Sequence, residues 1–125
     1  MTRDFGLFRD LDCGYEELAV TDHFCIQMLA DDARVRIYAK KNDRKARFVL
    51  KWVLCYADWK FLHTLMNGVA LKDRDICLGP VEYRYLPVGR AALWIKGKQF
   101  KFEGTLGEFR GAVLRAHKKI MKIRS

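Results

Sequence analysis

The chain has 125 residues, half of them apolar, and a formal net charge of +9, values that indicate one domain with a core of ordinary size and argue against disorder. Charges at Arg3, Asp4, Arg9, Asp10 and Asp12 break up the start of the chain where an export signal would be apolar. The longest apolar run, Trp52 to Ala57, is far shorter than the ~20 residues of a membrane-spanning helix, so a cytoplasmic protein is expected, or a nuclear one in a eukaryotic host.

Charge is unevenly spread. Residues 1–32 carry eight acids (Asp4, Asp10, Asp12, Glu16, Glu17, Asp22, Asp31, Asp32) against Arg3 and Arg9, a net of −6; residues 33–125 carry 22 bases and 7 acids, a net of +15. The acidic segment also holds Phe5, Leu7, Phe8, Leu11, Phe24, Ile26, Met28 and Leu29, too many apolar residues for a solvated tail. A single domain is expected, with an acidic lead-in over 1–32 packed on a basic body over 33–125. The two regions would attract within one chain or between chains as a homo-oligomer.

Strand periodicity begins at Ala33. Val35, Ile37 and Ala39 alternate with Arg34, Arg36, Tyr38 and Lys40; beyond the polar tip Lys41–Lys45, Phe48, Leu50, Trp52, Leu54 and Tyr56 recur at period two. This predicts a hairpin over about 33–56 with one buried face and one basic face. Asp58 then caps a short helix, Trp59 to Asn67, that buries Trp59, Leu62, Leu65 and Met66 and stops at Gly68. Residues 69–81 read as loop with a turn at Gly79-Pro80, and Glu82 to Leu86 as a strand limited by Pro87. A second hairpin, about 91–103, folds around Gly97-Lys98 with glycine in the first turn position.

Thr105-Leu106-Gly107-Glu108 has the pattern of a capping box, in which the glutamate reaches back to the cap. Phe109, Val113, Ala116, Ile120 and Ile123 follow at spacings of 4, 3, 4 and 3, which predicts an amphipathic helix from about Leu106 to Ile123. The fold class is therefore α+β: an antiparallel sheet from two hairpins, a short middle helix and a C-terminal helix. The second half, as helix, three strands, helix, resembles in outline the double-stranded-RNA-binding fold. That family opens its last helix with a lysine cluster; Leu106, Gly107 and Glu108 stand there in this chain, and no functional residue carries over.

The main functional signal is a basic surface with an aromatic residue among its charges. Arg34, Arg36, Lys40, Lys41, Arg44, Lys45, Arg47 and Lys51 crowd the first hairpin against Asp43 alone, with Tyr38 on the predicted exposed face. Phosphates attract such a face, and a tyrosine can stack on a base. The bland alternative is an edge strand kept soluble by its charges. Arg115, Lys118, Lys119 and Lys122 share a helix face and extend the surface, or merely complement the helix dipole.

Catalytic chemistry is not indicated. Cys13, Cys25, Cys55 and Cys77 include no C-x-x-C pair; the last three sit in apolar sequence and are expected as reduced core residues, with Cys13 more exposed. His23 and Cys25 lack further partners for a metal site, His63 and His117 read as packing or surface residues, and Asp75, Glu82 and Arg84 only loosely echo a metal-nuclease pattern. The dispersed glycines form no phosphate loop, so no cofactor and no metal are expected. These features point to a small nucleic-acid-binding module, for DNA or RNA, that contacts mainly the backbone. The alternative is a protein-interaction or inhibitor module for an acidic protein surface or a nucleoprotein complex.

Overall fold

Half of the acidic segment is a hairpin in the computed structural model, which describes residues 15–29, 34–40, 47–68 and 74–124. β1 (Tyr15–Val20) and β2 (Phe24–Leu29) pair antiparallel and run on into β3 (Val35–Ala39) and β4 (Val49–Leu54). The first sheet is thus a meander, ordered β1-β2-β3-β4. Its first two strands supply Leu18, Phe24, Ile26 and Met28 to the core. Residues 15–29 therefore contribute buried side chains to the core, while Glu16, Glu17, Val20 and Asp22 are exposed. Asp4, Asp10, Asp12, Asp31 and Asp32 lie outside the described residues.

Helix α1 (Tyr56–Asn67) leads to a second meander: β5 (Ile76–Leu78), β6 (Val81–Leu86), β7 (Arg90–Ile95) and β8 (Lys98–Phe102). Helix α2 (Leu106–Arg124) closes the order. The α+β class, both predicted hairpins and both helices are present. The hairpins fall in two different sheets, however, and each sheet has two further strands. Four strands and a helix thus occur twice. α2 lies on β1 and β2 of the first sheet rather than on the sheet it follows, while α1 touches β4, β5, β6 and α2. One apolar cluster joins both sheets and both helices.

Helical spacing places the predicted residues of α1, Trp59, Leu62, Leu65 and Met66, in the core. The helix starts earlier than expected, with Cys55 at its cap and no side-chain capping bond. Asp58 sits in the first turn instead, where its carboxylate accepts from Lys96 Nζ at 2.9 Å. Cys25 is buried as expected, but Cys55 and Cys77 are exposed; apolar neighbours in sequence do not bury a residue that ends a strand or faces outward from a short one. Cys13 lies outside the described residues.

Positive φ marks several turns, two of which bear on the arrangement of the second sheet. Lys96 and Gly97, at φ 52° and 81°, join β7 to β8 as a type I′ pair, so glycine takes the second turn position and not the first. Gly79, at φ 59°, turns β5 into β6 directly beneath Phe61, whose Cδ2 would lie 2.8 Å from any added Cβ. In α2, Phe109, Val113, Ala116 and Ile120 are fully buried, joined by Ala112, but Ile123 is 39% exposed. Among the described residues no helix is long and apolar enough to cross a membrane.

Candidate functional site

A β-bulge organises the first hairpin. Ile37 pairs with Trp52 and the next residue, Tyr38, with Leu50, so Lys51 is the extra residue on β4. The bulge reverses the alternation. Trp52 and Leu54 face the core, whereas Phe48 joins Tyr38 and Cys25 in a small cluster on the opposite face of the sheet. The single buried period-two face read from Phe48 to Tyr56 is therefore two half-faces.

This arrangement corrects the role of Tyr38. Its side chain is 1% exposed and cannot stack on a base. Burial pushes its phenol up from the ordinary value, against a smaller opposing effect of the Arg36 guanidinium. Arg36 is itself half-buried: its guanidinium lies 4.7 Å from the Tyr15 ring centroid, and its Nε finds no hydrogen-bond partner. Both residues belong to the packing of the sheet's second face. Arg34 is exposed just before β3, and Lys41, Arg44 and Lys45 lie outside the described residues.

The other described bases of the hairpin line one cleft, although Lys40 Nζ itself lies 5.2 Å from the ring centroid of Phe48. Lys40, Arg47 and Lys51 line a cleft of about 660 Å³ between β3–β4 and β8. Lys101 joins them from the second sheet, with Glu103 as the acid of the rim and His23 and Thr105 at one end. The floor is apolar: Phe24, Ala39, Val49 and Phe100. Lys51 Nζ stands 5.7 Å from the centroid of Phe100. That ring is held by Trp52, Phe24 and Phe102, at centroid distances of 6.2, 5.7 and 4.8 Å. A shallower groove of about 430 Å³ continues from Lys51 along β4 to Lys96, Gly97 and Lys98. There the Trp52 indole N–H donates to the Lys98 carbonyl at 3.2 Å and fastens the two sheets together.

At the His23 end, a carboxylate fixes the turn between β1 and β2. Glu108 Oε2 accepts from the Thr21 hydroxyl and from the His23 amide at 2.7 Å, and Oε1 accepts from His23 Nδ1 at 2.8 Å. Burial alone would raise this carboxyl; the hydrogen bonds from Thr21 and His23 outweigh it and hold the group below its ordinary range. Glu108 therefore serves a contact 85 residues distant in sequence rather than closing a capping box on Thr105.

Arg115, Lys118 and Lys119 are exposed on α2, as is Lys122, but they begin about 15 Å along the helix from the cleft. Lys119 Nζ donates to the Glu17 carbonyl at 2.9 Å, so the basic helix touches the acidic strand at its backbone. The described residues of the predicted surface thus fall mainly in three regions: a cleft, a packed sheet face and a helix face. The nuclease-like residues lie together at the β5–β6 pairing, where Glu82 accepts from Arg84 Nε at 2.7 Å, Asp75 accepts from the Tyr85 amide, and the Asp75 charge acts on Arg84. No His, Cys, Asp and Glu cluster suited to a metal occurs among the described residues. Lys101 and Phe100 escaped the sequence reading because their relation to Lys51 exists only across two sheets. The one available signal was the alternation of aromatic residues and lysines in Gln99–Phe102.

No family model, curated protein or solved structure matches this chain.

Proposed function

We propose that the protein is a nucleic-acid-binding module whose principal contact surface is the cleft, with phosphates meeting its basic rim. One observation carries the reading: Lys51 and Lys101, from strands β4 and β8, and Lys40 and Arg47, from just after β3 and just before β4, line one opening with Glu103 as the acid among them. Cations gathered this closely repel one another, and a polyanion relieves that repulsion while releasing its own counterions. Such a module would act in the cytoplasm, or in the nucleus of a eukaryotic host.

Titration of a labelled oligonucleotide at increasing salt tests the proposal. Binding should weaken steeply with salt, and Gln at Lys40, Arg47, Lys51 or Lys101 should flatten the logarithmic plot by roughly 0.7–0.9 per lost phosphate contact. Gln at Arg36 should change the slope little, since that side chain is committed to Tyr15 and Tyr38. Unchanged affinity in a folded quadruple variant would reject the cleft.

A second reading, a protein-interaction or inhibitor module, has its own support. β4 is an edge strand of its sheet and exposes Val49, Leu50 and Val53 beside Lys51, features an extended segment of an acidic protein could pair with. Binding of that kind would survive in salt that strips an oligonucleotide. Association of copies through the acidic segment and the basic body accompanies either reading, and light scattering at low and high salt tests it.

A further inference from the structure

We propose that the cleft receives an unpaired base, so that the polymer bound at its rim is single-stranded. This inference rests on the nucleic-acid reading above and narrows it. Phosphate binding needs cations but no apolar floor. Here the floor includes Val49, 64% exposed, and the half-buried ring of Phe100, within a cleft of about 660 Å³. That volume is in the range of sites for small organic bodies, and apolar surface kept open to water in a concave site is stabilised by a ligand that covers it.

A duplex cannot supply such a ligand. Its bases are stacked on one another inside, and it would bring phosphates to Lys40, Arg47, Lys51 and Lys101 while leaving the floor wet. An unpaired base has two flat apolar faces and is tied to a phosphate within a few ångströms. Aromatic rings bordered by cations are the usual answer to that chemistry. Phe100 suits the role because Phe24, Trp52 and Phe102 already fix its ring, so little freedom is lost on binding. Lys51 Nζ, brought to the cleft by the bulge, lies over the Phe100 ring at 5.7 Å from its centroid; a stacked base would take that place on the ring face and the ammonium would turn to the phosphate beside it. Tyr38, the aromatic residue that sequence alone offers for stacking, is buried on the other face of the sheet.

The test uses the intact protein, a labelled thymidine oligomer, an abasic phosphodiester oligomer of equal length and a blunt duplex of that length. At low salt the thymidine oligomer should bind about ten- to a hundred-fold more tightly than the abasic one, the range that one stacked base contributes. Phe100→Leu keeps an apolar side chain but removes the aromatic face; it should bring the thymidine oligomer down toward the abasic level and so close the ratio of the two affinities. Photo-crosslinking of a 5-iodouracil oligomer to the unaltered protein gives a readout independent of the variant's folding, and the crosslink should map to the peptide bearing Phe100. Equal affinity for the thymidine and abasic oligomers, tighter binding of the duplex, or crosslinks only at peptides without cleft residues would overturn the base site while the phosphate reading stood. Failure of every oligomer to bind at low salt would overturn both.

Discussion

Two of the polar attachments of helix α2 involve a histidine, and they need the Nδ1 of that ring in opposite states. At its first turn, ionised Glu108 accepts from His23 Nδ1, which must therefore carry its proton. Nine residues on, the buried Trp59 indole donates to His117 Nδ1 at 3.1 Å, so that nitrogen must be bare. His63 of α1 stacks on His117 with ring centroids 3.6 Å apart. Burial lowers both of these imidazoles from their ordinary value, and for His63 the neighbouring His117 adds to the effect. A polar contact at a half-exposed turn can thus hold charge, whereas one beneath stacked rings requires neutrality. Between them lies the apolar stripe, and it should supply most of the adhesion.

The largest expected effect tests that ranking. Phe109 is fully buried and its ring lies 5.0 Å from that of Phe24. Phe109→Ala should destabilise the fold by about 3–5 kcal/mol in denaturant unfolding. A loss no greater than that of either polar variant below would show that the stripe is not the principal attachment.

His117→Leu comes next. It leaves the Trp59 N–H buried without an acceptor, at a cost of about 1–3 kcal/mol above neutral pH. It should also change the response to acid. Imidazoles held neutral in the fold but able to protonate when unfolded give their full stability above the ordinary value of 6.5 and lose it as pH falls through that value toward the lowered one. The parent protein should therefore weaken as pH drops below 6.5, and the variant less so. Parallel curves for the two proteins would refute the neutral-stack description.

Glu108→Gln should be milder, about 1 kcal/mol, because its charged hydrogen bonds are partly open to solvent. Its pH window is different. A carboxyl lowered in the fold contributes fully above its ordinary 4.5 and loses that contribution as pH falls below it. Chemical denaturation at pH steps on either side of each window would separate the two attachments. Loss of the higher window in the Glu108 variant would contradict the assignment.

What could be read from sequence divides along similar lines. α1 and α2 were legible because a 3.6-residue period repeats over several turns, and Trp59, Leu62, Leu65 and Met66 needed no tertiary information. β1 was obscured because Glu16 and Glu17 are adjacent and Leu18, buried at a bulge between Glu17 and Ala19, does not fit a simple alternation; β2 is buried on both faces over Phe24–Met28, so no period of two shows. β5 has only three residues, too few for a period to show. In the site, Lys40, Arg47 and Lys51 were legible as charge. The bulge that turns Lys51 toward Phe100 and buries Tyr38 behind it was not, since the local residues fit an unbroken strand equally well.

Thr105 separates local pattern from tertiary contact most cleanly, and its expected effect is the smallest. As the cap of a capping box, Thr105→Ala would cost about 1 kcal/mol. In the structure its carbonyl accepts from the Phe109 amide at 3.0 Å, a bond that alanine keeps, while both Glu108 oxygens serve Thr21 and His23. Thr105→Ala should therefore cost less than about 0.5 kcal/mol, as for a surface substitution. Thr21→Val should cost more than Thr105→Ala, because the Thr21 hydroxyl both donates to Glu108 and accepts from the Phe24 amide at 3.1 Å. Paired denaturation curves of the two variants decide the matter. If Thr105→Ala proves the more damaging, the capping box dominates the start of α2, and the contact between α2 and the β1–β2 turn is secondary.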